Sequence, residues 1–176
     1  MDRYYQCVQR DIEEAKQYYP YIHVIMLPTV EPTVIKLRVT AVSSRVLSIL
    51  HATEDDFLND YSRELSIIVP YDYQTQGCEV WGGRWINRHS IPMEDQHFHE
   101  NDGTLLRFCV GVPSSFALMH NVILENIRTA DNMLSAYEAY LTGKTTKIEL
   151  IAYSHGEKGK VEYEQDKKRY KSPKQQ

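Results

Sequence analysis

Strand-like and helix-like segments do not alternate along this chain, and that order excludes most folds open to a domain of its size. One helical stripe comes first, then several strand-like runs, a long aperiodic stretch, and a second helical region with a late strand behind it. A doubly wound parallel sheet needs regular strand–helix–strand units, so the order predicts an α+β domain built on a largely antiparallel meander. The first stripe is Tyr4, Val8, Ile12, Ala15 and Tyr19, with Asp2 placed to cap it and Pro20 to end it. "YIHVIML", "TVIKLRVTAV" and "ELSIIVP" are short and rich in branched residues, which predicts strands, and "RVLSILHA" predicts a further one. "TEDDFLNDYSRE" reads as a turn or short helix. Residues 71–96 are broken by Gly77, Gly82, Gly83 and Pro92 and predict a long irregular loop, ordered by two tryptophans. "VGVPSS" turns the chain. "FALMHNVILENIRTADNMLSAYEAYLTG" predicts a long helical region stopped at Gly143, followed by a late strand in "KIELIAY" and a hairpin in "SHGEKGKVEYE".

The 176 residues suit one domain, over residues 1–164, with a basic tail at 165–176 that carries Lys167, Lys168, Arg169, Lys171 and Lys174. The tail reads first as a solvated terminus, with an acceptor-lysine or electrostatic role as the functional alternative. A net charge of -4 and a pI near 6.0 give no general pull towards nucleic acid or anionic membrane. Cys7, Cys78 and Cys109 are odd in number and show no paired spacing, which predicts free thiols in a reducing compartment. The first residues lack the basic and apolar regions of a signal peptide, and no apolar run approaches the roughly 18 to 20 residues that span a bilayer. A cytoplasmic protein is expected.

One segment concentrates chemistry: "HFHENDGTLLRFC", residues 97–109. His97 and His99, two apart on a strand, would share a face and could join Cys109, or Cys78 and His89, around zinc. Structural zinc sites usually offer two close ligand pairs, however, and there is no CxxC anywhere. A thiol nucleophile is the second reading. It would act as the thiolate and would need a donor where an oxyanion develops, which an asparagine amide can supply. Asn101 precedes Cys109 by eight positions, and Asp102-Gly103 form a turn that lets the chain double back. A small buried hydrophobe is the third reading of Cys109. Spacing alone leaves these open.

A resemblance narrows them. "HEN" with a cysteine eight residues after the Asn is similar to the His-Pro-Asn motif of ubiquitin-conjugating enzymes, with Glu100 in place of the proline. Upstream, "VPYDYQTQGCEVW" resembles that family's Phe-Pro-x-x-Tyr-Pro-x-x-Pro-Pro-x-Val-x-Phe stretch through Pro70, Tyr73, Val80 and Trp81. The order of elements agrees over about residues 1–143. The resemblance implies a ubiquitin-conjugating-enzyme-like (UBC) fold: an N-terminal helix, an antiparallel meander, a catalytic-cysteine loop and C-terminal helices. It implies that Cys109 carries the C-terminal carboxyl of a protein as a thioester, that Asn101 assists the oxyanion or shapes the loop, and that His99 orders that loop. No metal or organic cofactor is implied. "HFHENDGTLLRFCVGVP" and "YSHGEKGK" further resemble bacterial single-domain members encoded beside cGAS-like nucleotidyltransferases in antiphage CBASS operons. There the implied partners are the nucleotidyltransferase as protein substrate and an acceptor protein or lysine.

Other residues are candidates for supporting roles. His155 could approach the thiol as a base or cation, though a solvated turn histidine is the commoner case. His97 could face the sulfur or pack beneath the loop. Asp102 could accept a proton from an attacking lysine, or serve only as the turn residue. Trp81 and Trp85 could form a partner-binding lip, as aromatics at contact surfaces often do. A non-catalytic binding module using that lip, and a small zinc protein, are the readings that compete with the transferase.

Overall fold

In the computed structural model, residues 3–26, 34–57, 61–102, 105–111 and 113–150 are described. The first helix, α1 (Arg3–Lys16), buries Tyr4, Val8, Ile12 and Ala15, the stripe read from the sequence, and adds Asp11 to it. Asp2 lies outside the described residues. The Tyr4 hydroxyl donates to the Val69 carbonyl at 2.6 Å, which fastens the start of α1 to a strand far along the chain.

Strands β1 (Ile22–Met26), β2 (Ile35–Thr40), β3 (Glu64–Val69), β4 (Glu79–Gly82), β5 (Phe98–Asp102) and β6 (Leu105–Phe108) form one antiparallel sheet in the order β1-β2-β3-β4-β6-β5. The meander holds through β4. There β6, the later strand, takes the inner place and β5 folds back outside it. Alternation in β2, β3, β4 and β6 turns Leu37, Ile67, Val80 and Phe108 towards the core. These rows merge with the buried stripes of α1 and of α5 (Val122–Leu141) into one core.

Two expectations are corrected. "RVLSILHA" is not a strand but a helix, α2 (Ser44–Leu50): the Ser43 hydroxyl accepts from the Val46 amide, and a local cap outweighs the strand preference of branched residues. Residues 71–96 are not one irregular loop. They hold a one-turn helix, α3 (Tyr73–Gln76), the four-residue β4, and short 3-10 turns at Arg88–Ser90 and Met93–Asp95. The helical region after the cysteine is two helices, α4 (Pro113–Phe116) and α5, because Asn121 starts α5 afresh by accepting from the Leu124 amide at 2.9 Å. "TEDDFLNDYSRE" contains 3-10 turns at Glu54–Phe57 and Tyr61–Arg63. Residues 147–150 of the expected late strand carry no strand pairing, and its remainder, the hairpin behind it, His155 and the basic tail lie outside the described residues. Among the described residues no helix is long and apolar enough to cross a membrane.

Candidate active site

Cys109 follows β6 directly and is half-buried. Its backbone N–H donates to the His97 carbonyl at 2.9 Å, so the hairpin bonding continues one residue past the strand and fixes the cysteine. Its Sγ lies 3.3 Å from Nε2 of His99, an exposed residue of β5. Antiparallel pairing of β5 with β6 is what brings residues 99 and 109 together, with Asn101 opposite Leu106 and Asp102 opposite Leu105. The chain returns beside the cysteine because β5, ending at Asp102, pairs antiparallel with β6, which begins at Leu105; Gly103 of the expected turn lies outside the described residues. Asn101 and Asp102 are placed by this register alone.

The cysteine opens into a groove of about 290 Å³ whose walls include Pro70, Gly77, Cys78, Glu79, Arg107 and Phe116. Glycine is required at two of the wall positions. Gly77 (φ 84°) and Gly111 (φ 154°) adopt positive φ, and a Cβ at either would overlap the Phe116 ring, at 2.8 Å in the case of Gly111. The ring is therefore clasped between two bare backbones and closes the groove floor behind the sulfur. Cys78, in the same wall, is buried, with its amide held by Asn126 Oδ1 at 2.9 Å.

Two influences act on the Cys109 thiol. Burial pushes its pKa up, and the positive charge of Arg107 pulls the other way. The resting group is a neutral thiol in contact with an imidazole, so His99 is placed to take the proton when the sulfur attacks. The sulfur would then be a thiolate facing an open groove, which is the arrangement acyl transfer or alkylation at sulfur requires.

Beneath the site sits Tyr137 of α5, fully buried. Its hydroxyl accepts from the His97 amide at 3.0 Å and donates to the Asp95 carbonyl at 2.9 Å, while its ring meets Phe98 edge-on at 5.9 Å. Burial raises the Tyr137 phenol to about 12, so it stays protonated and keeps this donor role. His97 itself is buried. Trp81 borders the groove through Arg107, whose guanidinium lies 5.9 Å from the ring centroid. Trp85 instead donates its indole N–H to the Ser62 carbonyl at 2.9 Å and packs against the core. Sequence reasoning missed Arg107, Tyr137 and Phe116. Arg107 was findable, since a residue two before the cysteine on a strand shares its face; Tyr137 and Phe116 reach the site only through tertiary folding. Among the described residues no group of three or more His, Cys, Asp or Glu side chains could hold a metal.

Comparison of the chain with protein-family models, with curated proteins and with solved structures finds no match.

Proposed function

We propose that the chain is a cysteine-dependent protein-conjugating transferase with a ubiquitin-conjugating-enzyme-like fold. The observation that carries this reading is the Cys109 Sγ–His99 Nε2 contact of 3.3 Å at the mouth of an open groove. Cys109 attacks the carbonyl carbon of an activated protein C-terminus, a thioester or acyl-adenylate, as its proton passes to His99. The donor's leaving group departs and a Cys109 thioester forms. An acceptor amine then attacks that carbonyl, the C–S bond breaks, and the thiolate leaves while the amine loses its proton to a base or to solvent. Asn101, two residues beyond His99 in β5, is assigned the developing oxyanion on the strength of the His-Glu-Asn motif. The resemblance in the same segment further suggests that the conjugated protein is a cGAS-like nucleotidyltransferase and that the setting is cytoplasmic antiphage defence of the CBASS type.

Intact mass spectrometry of Cys109→Lys, purified from cells that co-express the nucleotidyltransferase, tests this directly. A lysine there should take up the acyl group as a stable amide in place of the transient thioester, giving an adduct that maps to position 109. No adduct, together with a wild-type Cys109 that iodoacetamide modifies no faster than Cys78, would replace the transferase by a non-catalytic binding module that uses Trp81 as its contact.

A further inference from the structure

Beside Cys109 the outer face of the sheet carries a cation, Arg107, that has no close ion-pair partner among the described residues. Pairing of Trp81 with Arg107 and of Val80 with Phe108 puts Glu79 across from Cys109 at the next step, and alternation gathers Glu79, Trp81, Arg107 and Cys109 on that face. The one acid within ion-pair range of Arg107 among the described residues is Glu79, with Nη1 and Oε1 3.9 Å apart, beyond hydrogen-bond distance. Nε of Arg107 is buried and has no hydrogen-bond partner among the described residues. Glu79 is held no better: the Trp81 indole N–H reaches its Oε2 at 3.4 Å, at the long end of the range. Arginine and glutamate are thus in range of each other but poorly bonded, in the wall of the groove onto which the sulfur opens.

We propose that Arg107 makes this groove an anion-selective subsite that seats a carboxylate of the acyl donor, an acidic side chain near the chain end that Cys109 takes up. This rests on the reading of Cys109 as an acyl carrier. Glu79 stands in the free protein where the donor's carboxylate docks, and it yields because its own contacts are long. A guanidinium prefers a close, two-pronged carboxylate pair to one loose ion pair, and the Trp81 ring, its centroid 5.9 Å from Cζ, backs it. Arg107 is the one Lys or Arg among the described lining residues, which suits a single carboxylate; a polyphosphate or nucleic-acid strand calls for several.

Alkylation of the full-length protein by iodoacetate and by iodoacetamide, read at Cys109 by peptide mass spectrometry at low salt, provides the test. Both reagents lose iodide to the same thiolate, so the thiolate fraction cancels in the ratio of their rates, and only the reagent's charge remains. The iodoacetate-to-iodoacetamide ratio should fall about fivefold in Arg107→Gln, the size expected for unit charges about 4 Å apart in water. Arg107→Lys should keep the ratio, Glu79→Gln should raise it, and added salt should lower it in the wild type. A ratio unchanged in both Arg107→Gln and Glu79→Gln, with iodoacetamide still fast at Cys109, overturns the subsite and leaves the carrier reading standing. A Cys109 that neither reagent reaches faster than Cys78 overturns both.

Discussion

Cys109 is held neutral by burial and drawn towards the thiolate by a neighbouring charge, and its pH response follows from that contest. Reaction through sulfur requires the thiolate, so alkylation of Cys109 should rise with pH and keep rising above the ordinary thiol value of about 8.5. In Arg107→Gln the opposing pull is gone, and the whole rate–pH curve should move to higher pH, as iodoacetamide kinetics in a series of buffers would show. Stability responds with a definite sign. Cys109 and the more deeply buried Cys78 both have raised values in the folded protein, so the unfolded chain ionises first. Their contribution is complete below the unfolded thiol value and is lost as pH climbs through the folded ones. At this scale the sequence was legible where chemistry is local. The cysteine, the histidine pair and the turn all follow from one segment, whereas Tyr137 and Phe116 are distant in the chain and carry no signal of their own.

Elements position these residues through a few bonds that can be cut singly. Tyr137→Phe removes the bridge from α5 to the backbone at Asp95 and His97. The His97 amide keeps a second acceptor, the Asp95 carbonyl at 3.1 Å, so the expected loss is about 1 kcal/mol in urea unfolding, with slower Cys109 chemistry as the hairpin loses its anchor. Phe116→Ala should cost about 3–5 kcal/mol, because the ring is buried between two glycines that have no side chains with which to fill the space. Ser43→Ala should cost about 1 kcal/mol through loss of the α2 cap. Helix α2 also shows why its segment misleads. Val46, Ile49 and Leu50 look strand-like by type, yet all three are exposed and only Leu47 is buried, so the helix is set by its cap and its packing residue rather than by composition. β4 escaped notice for the opposite reason: four residues ending in glycine are too few to show a period.

Across the whole molecule, one buried carboxylate joins elements that are far apart in the chain. Asp11 of α1 is 1% exposed; it accepts from the Tyr73 hydroxyl of α3 at 2.6 Å and from Arg10, while its carbonyl accepts from Asn121, the cap of α5, at 2.8 Å. Tyr73→Phe should therefore destabilise the fold by about 1.5–3 kcal/mol, measured by chemical denaturation, since it strips a charged acceptor of a buried donor. The helix-then-strands order predicted this α+β class, but not the exchange of β5 and β6, which is decided by long-range pairing.

That exchange divides the reactive pair between two mechanical environments. Among the described residues, the sulfur follows a strand bonded on both sides, whereas the imidazole rides on an outermost strand bonded on one side only. Outer strands open at lower free energy than inner ones, and here the His97 end is pinned to α5. Opening of β5 is therefore expected to pivot at His97 and to lift His99 away while Cys109 keeps its place. Native-state hydrogen exchange should find amides of β5 less protected than those of β6, and the chain would hold, in one hairpin, a fixed nucleophile with a proton acceptor that can be withdrawn.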